Sequence, residues 1–212
     1  MSFQKIITKF NIFFLLVILI AVFTYFFNLS TIPSGFYSDE AVVGYNAYSI
    51  LKTGRDEYGK FFPILFKFFG SYTPGLFVYF LVPFIKIFGL SVTTVRGVNA
   101  FLMIGTGFIL YYFLRNLLPK QNKYLLLCAL LCYYLTPWTV FNARLGYETT
   151  FAYFLFCLSV YFLSRKKISI AFTILSLSTY AAHPNRYLAP LVILIYFLIF
   201  RPSAKKYFHS LI

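Results

Sequence analysis

Phe10-Asn11-Ile12-Phe13-Phe14-Leu15-Leu16-Val17-Ile18-Leu19-Ile20-Ala21-Val22-Phe23-Thr24-Tyr25-Phe26-Phe27-Asn28-Leu29 runs without a charge, and Pro33-Ser34-Gly35-Phe36-Tyr37-Ser38-Asp39-Glu40-Ala41 follows it. A stretch of about 20 apolar residues is the length of a bilayer span. Lys5 and Lys9 precede it. The run is too long for a signal-peptide core and has no small-x-small cleavage site, so it reads as an uncleaved signal anchor. The second stretch holds two of the chain's five acids; Asp56, Glu57 and Glu148 are the others. Acids are costly near a bilayer, so their concentration after a span marks a candidate functional site.

The rest of the composition agrees with a membrane setting. Of the 212 residues, 60% are hydrophobic and only 11% charged, against about 25% charged in an ordinary soluble domain. There is no polar exterior to wrap a water-soluble core, and the fold class expected is an all-α integral membrane protein. The net charge is +14. The bases punctuate apolar runs, as the positive-inside rule requires, and do not form a nucleic-acid surface, so no nucleic-acid partner is expected. Cys128, Cys132 and Cys157 lie inside apolar runs, with no His or carboxylate near them to complete a metal site, and read as small hydrophobes.

Apolar runs predict six spans, at about 10–29, 92–114, 124–141, 149–164, 168–182 and 187–200. The run at 70–90 is interrupted by Pro74, Gly75, Pro83, Lys86 and Gly89, and reads as a seventh span or as helices lying in the interface. Charge favours six. With a cytoplasmic N-terminus, the inside segments then hold eleven bases (Lys5, Lys9, Arg115, Lys120, Lys123, Arg165, Lys166, Lys167, Arg201, Lys205, Lys206) and no acid, while all five acids lie outside. The first outer loop runs from Ser30 to Ser91 within a single transmembrane domain that covers residues 1–212. Ser38 is the expected N-cap of a helix that stops at Gly54. Ala41, Val42, Tyr45, Tyr48, Ser49 and Lys52 share roughly one side of it, which suits an amphipathic helix lying along the membrane surface.

Within that loop, Asp39 and Glu40 occupy the first turn of the helix, where the macrodipole favours acids. The same position keeps a carboxylate ionised, as a general base must be. Asp56 and Glu57 sit in the turn Thr53-Gly54-Arg55-Asp56-Glu57-Tyr58-Gly59-Lys60, either as solvated residues paired with Arg55 or Lys60, or, for Asp56, as a contact to an acceptor or a cation. Arg96, Arg144 and Arg186 lie at predicted outer ends of spans, against the positive-inside trend. They either snorkel to headgroups or recognise phosphate. Glu148 follows Arg144 by four residues, the spacing of a helical ion pair, and a substrate contact is the alternative. His183, in the polar cluster Tyr180-Ala181-Ala182-His183-Pro184-Asn185-Arg186-Tyr187, is either structural or a proton donor or phosphate ligand. The chain has no glycine-rich phosphate loop and no Cys-x-x-Cys, His-Glu-x-x-His or Gly-x-Ser-x-Gly motif. No resident metal is expected from these residues, though a divalent cation at the acids stays open.

The order of these features resembles a known family. A first span followed by Pro-x-Gly-Phe-Tyr-x-Asp-Glu-Ala at 33–41 looks like the start of a membrane glycosyltransferase of the GT-C fold. Tyr72-Thr73-Pro74-Gly75-Leu76, Phe88-Gly89-Leu90-Ser91 and Arg96 resemble glycosyltransferase family 39, the group of the protein O-mannosyltransferases and aminoarabinose transferases. Pro137, Arg144, Glu148 and Asn185-Arg186-Tyr187-Leu188-Ala189-Pro190 continue the pattern. The resemblance implies a hexosyl- or pentosyltransferase at the outer face of the plasma membrane. Its donor would be a polyprenyl-phosphate sugar, and its acceptor a lipid, glycan or protein. It implies catalytic roles for Asp39, as base, and Glu40, and substrate-binding roles for Asp56, Arg96, Arg144, Glu148, His183 and Arg186. Family members are considerably longer, so the chain is expected to match their N-terminal part. The alternative expectation is a non-catalytic membrane component for lipid-carrier transport or envelope assembly.

Overall fold

The computed structural model describes residues 3–200. Of the bases expected on the inside, Arg201, Lys205 and Lys206 lie outside the described residues, as does the side chain of Lys5. The elements in chain order are α1 (Phe3–Phe26), α2 (Ser38–Thr53), β1 (Leu65–Phe68), β2 (Ser71–Pro74), α3 (Leu76–Phe88), α4 (Val92–Leu117), α5 (Lys123–Leu135), α6 (Pro137–Ala143), α7 (Glu148–Ser164), α8 (Ile168–Ser178) and α9 (Asn185–Phe200). The molecule is therefore mainly helical, with one departure from the all-α expectation. Strands β1 and β2 form an antiparallel hairpin in which Leu65 faces Pro74 and Phe68 faces Ser71. Its two-residue turn, Phe69-Gly70, has positive φ at both positions, the twist that short hairpins favour.

Helix α4 is the axis of the packing. On one side it meets a core of Val43, Ala47, Phe66, Phe77, Leu81, Val95 and Phe151, drawn from α2, β1, α3, α4 and α7. On the other it meets Val17, Ala21, Tyr25, Met103, Leu127, Leu130 and Tyr134, drawn from α1, α4 and α5. Apolar burial on both sides fixes α4, and with it the polar groups near its first turns. Helix α2 does not lie free on a surface. Its buried face is Glu40, Val43, Gly44, Asn46, Ala47 and Ile50, at the three- and four-residue spacing of one helical side, while Tyr45 is exposed. It ends at Gly54 in the left-handed conformation, as the sequence suggests.

Among the described residues, two helices are long and apolar enough to cross a membrane, α1 within Lys9–Phe26 and α4 over Val92–Leu117. A third crossing results if α5 and α6 form one span. They are bent by 59°. The break has a local cause: Pro137 has no N–H for the helical ladder, and it forces Thr136 to an extended ψ of 127°. The run at 124–141, expected as one straight span, is thus two helices. The run at 70–90 becomes the hairpin strand β2 and the 13-residue α3. Helices α7, α8 and α9 are apolar but have 17, 11 and 16 residues. At 1.5 Å per residue, α8 reaches only about half way across a hydrocarbon layer of roughly 30 Å.

Candidate functional site

The N-terminal end of α4 anchors a polar knot. Arg96 is fully buried, and all five of its N–H groups are used. Nε donates to Glu40 Oε1 at 3.0 Å and Nη2 to Glu40 Oε2 at 2.9 Å. The other three bonds go to backbone carbonyls of the segment that follows α1: Leu29 at 3.2 Å, Pro33 at 3.1 Å and Gly35 at 2.6 Å. Glu40 is equally committed. Besides Arg96, Oε1 accepts the Gly146 N–H at 2.6 Å and Oε2 accepts the Tyr37 N–H at 3.1 Å. Four donors fill the four lone-pair directions of the carboxylate. A buried ion pair persists only when its remaining donors and acceptors are satisfied in this way.

Arg144 performs a second closure. Its guanidinium donates to the carbonyls of Thr24, Phe27 (2.6 Å) and Ile32 (2.9 Å and 3.2 Å). The last carbonyls of a helix have no partner within it and carry the negative end of the dipole, so a cation there is doubly favoured. The expected Arg144–Glu148 ion pair is absent. Residues 144–147 lie between α6 and α7, so the helical spacing rule has no helix to act on. Asn99, three residues after Arg96 on the same side of α4, donates at 2.7 Å to both Leu145 O and Tyr147 O. Gly146 completes the knot because a Cβ there would overlap Val95 and crowd Glu40 Oε1.

This scaffold presents Asp39. The residue is exposed at the first turn of α2, and its carboxylate makes no hydrogen bond among the described residues. Its charge is felt by Tyr147 and Glu148, and Glu148 also feels that of His183. The rings of Tyr37 and Tyr147 meet edge to face at 6.1 Å. Glu148 is half-buried and lies just outside the apolar run that starts at Thr149. Burial raises its carboxyl above the ordinary range, the negative charge of Asp39 raises it further, and His183 opposes the shift. The Tyr147 hydroxyl is also pushed up, by burial first and then by Asp39 and Glu40. The negative charge of Asp39 thus bears on both Glu148 and Tyr147.

The remaining candidates sit elsewhere. Asp56 is buried in the turn it organises: its Oδ1 accepts the N–H groups of Tyr58 and Lys60 at 3.0 and 2.8 Å. Glu57 pairs neither with Arg55 nor with Lys60. It exchanges two hydrogen bonds with the Asn46 side chain on α2, at 3.0 and 3.1 Å. His183 Nε2 lies 2.9 Å from Tyr72 O and ties the α8–α9 connection to the hairpin. Arg186 is exposed and makes one long contact, Nε to Thr179 O at 3.5 Å. It lines a cavity of about 380 Å³ with Ile64, Leu65, Thr179 and Tyr180. A second cavity, of about 480 Å³, runs along Met103, Trp138, Phe141, Tyr147 and Tyr153 and is mainly apolar.

Two of the predicted arginines are therefore consumed by the fold. Arg96 has no donor left for a phosphate, and Arg144 commits four of its five N–H groups to backbone carbonyls, whereas Arg186 keeps its terminal nitrogens free of any hydrogen bond among the described residues. The sequence reading missed Asn99, Gly146 and Tyr147. A polar Asn in an apolar span, three residues from Arg96, was the available signal. Among the described residues no three His, Cys, Asp or Glu side chains converge as a metal set. Comparison with protein-family models, with curated proteins and with solved structures found no match.

Proposed function

We propose that the chain is a membrane glycosyltransferase that moves a hexosyl or pentosyl unit from a polyprenyl-phosphate donor to an acceptor at the outer membrane face. The observation that carries this reading is the contrast within one acidic pair. Glu40 has no free lone pair, and the carboxylate of its neighbour Asp39 has no hydrogen-bond or ion-pair partner among the described residues. A carboxylate held on a rigid helix end, exposed and unpaired, is what a general base requires. In the proposed step Asp39 takes the proton of an acceptor hydroxyl. The acceptor oxygen attacks the anomeric carbon, the bond from that carbon to the phosphate oxygen breaks, and polyprenyl phosphate leaves with the electron pair. The configuration at the carbon inverts.

The other residues take supporting parts. Arg186, an arginine whose terminal nitrogens make no hydrogen bond among the described residues, meets the charge of the departing phosphate. Glu148 and Tyr147 hydrogen-bond the sugar or the acceptor. The apolar cavity that includes Tyr147 receives the first isoprene units of the donor. Arg96, Glu40 and Arg144 act through the fold, as positioning residues. No step is routed through a cation.

The membrane arrangement that goes with this has six crossings and a cytoplasmic N-terminus, with α5 and α6 as one bent span and α7, α8 and α9 as short crossings in a thinned or partner-lined layer. All five acids then face outward. The experiment uses membrane vesicles carrying the protein, supplied with radiolabelled polyprenyl-phosphate mannose, glucose, galactose or aminoarabinose. Transfer of label to an endogenous acceptor, with release of polyprenyl phosphate, is the expected result. A chain that transfers none of the four while remaining folded in the membrane would favour a carrier or assembly component instead.

A further inference from the structure

The opposite ends of α1, α4 and α5 carry a different chemistry. They enclose a cavity of about 350 Å³ lined by Phe10, Tyr111, Arg115, Gln121, Lys123 and Leu126, among others. All five acidic side chains of the protein lie at residues 39–57 and 148, so no carboxylate side chain is available at this end. The neighbouring charges are Lys9, Lys120, Arg165, Lys166 and Lys167, all basic. Arg165 donates to Asn116 Oδ1 at 3.0 Å, and Asn116 Nδ2 donates to Ser164 O at 3.1 Å, which staples α4 to the end of α7. Arg115, next to Asn116, has no hydrogen-bond or ion-pair partner among the described residues.

Snorkelling is the ordinary reason for bases at a span end, and it would send Lys123 out to water. Lys123 does the reverse. It is half-buried, with its ammonium 4.7 Å from the centre of the Phe10 ring and 5.6 Å from that of Tyr124. The rings hold the cation in place without neutralising it. Lys123 is also the first residue of α5, at the positive end of that helix dipole, which disfavours a base. Two bases converging on one cavity, one of them at a positive helix end, with no acidic side chain beside them, are stable together when an anion from outside joins them.

We propose that this cavity binds the phosphate of an anionic membrane phospholipid, with Arg115 and Lys123 as its charge partners, Gln121 as a further donor, and Phe10, Tyr111 and Leu126 against the acyl chain. Phe10, Tyr111, Leu118 and Leu126 beside the two bases give the wall an apolar part, which a lipid uses and a free ion does not. Basic pockets between membrane helices recognise such headgroups by charge and shape. The proposal rests on the membrane placement given above, but not on the transfer reaction.

The test is native mass spectrometry of the full-length protein, purified in detergent and offered phosphatidylglycerol or phosphatidylcholine. Two bases near an anionic headgroup give about a thirtyfold preference for phosphatidylglycerol. Arg115→Gln with Lys123→Gln should reduce that preference to about twofold or less, whereas the charge-keeping pair Arg115→Lys with Lys123→Arg should retain it. Lys52→Gln with Lys67→Gln, at the other end, should leave it unchanged. An unaltered preference in the Gln pair would overturn the proposal. So would displacement of the lipid by roughly 10 mM inorganic phosphate, which would make the ligand a free anion. Alkaline carbonate extraction separates the two readings: release of the protein to the soluble fraction would overturn the membrane placement itself.

Discussion

Glu40 and Arg96, 56 residues apart in the chain, are both fully buried and joined by two hydrogen bonds of 2.9 and 3.0 Å. The pair ties α2 to α4, and through Gly146 and the carbonyls of Leu29, Pro33 and Gly35 it also ties in the segments on either side. Removing one partner leaves an uncompensated buried charge. Arg96→Met or Glu40→Ala should each cost about 3–5 kcal/mol of stability. The double substitution should cost less than the sum of the two. Thermal unfolding of the detergent-solubilised variants reads this directly, and additivity would argue against the pair acting as a unit.

Gly146 tests the same knot from its other side. A methyl group there would overlap Val95 Cγ1 and come within 3.3 Å of Glu40 Oε1. Gly146→Ala should destabilise the protein by about 1–3 kcal/mol through overpacking. Val95→Ala, which removes the overlapping atom, should recover part of that loss in the double variant, as measured by the unfolding midpoint.

Arg144 closes α1 through the carbonyls of Thr24, Phe27 and Ile32. Arg144→Ala should cost about 3 kcal/mol or more. Arg144→Lys should rescue little of it, because one ammonium cannot reproduce the planar fork that reaches three carbonyls. The expected readout is faster proteolysis at residues 27–36 in both variants. Protection in the Lys variant equal to that of the parent protein would show that charge alone suffices.

Glu148 gives a pH signature. Its carboxyl is raised above the ordinary 4.5 by burial and then by Asp39. The folded chain therefore holds this proton to a higher pH than the unfolded chain does, and stability falls as pH rises from 4.5 through the folded-state value. Glu148→Gln should remove that part of the fall. Unfolding midpoints from about pH 4 to about pH 8 at constant salt provide the check, and an unchanged slope in the variant would locate the effect elsewhere.

The sequence was informative where structure follows from short-range rules. Gly54 stops α2 because it alone accepts the left-handed cap, and the acid pair Asp39-Glu40 falls in the first turn of α2. The long apolar runs became α1 and α4. Where packing decides, local rules failed. Four-residue spacing suggested that Arg144 would meet Glu148, but the carbonyls at the end of α1 offered several charge-assisted bonds instead. Composition treated Leu65–Pro74 as part of an outer loop, although the exposed Lys67 between buried Phe66 and Phe68 carries a strand alternation. The bond between Glu40 and Arg96 spans too much chain for any spacing rule to reveal. It is also what separates two adjacent acids that look alike in sequence.

That separation is the central claim, and paired amide substitutions test it most directly. Vesicles carrying Asp39→Asn, Glu40→Gln or the parent protein are supplied with labelled polyprenyl-phosphate sugars, and transfer is measured beside the unfolding midpoint. Asp39→Asn should lower transfer by about 10²–10⁴-fold, the usual contribution of a general base, with the midpoint unchanged. Glu40→Gln should lower the midpoint. Transfer by Asp39→Asn within about twofold of the parent, at equal protein level, would contradict the assignment of Asp39 as the base.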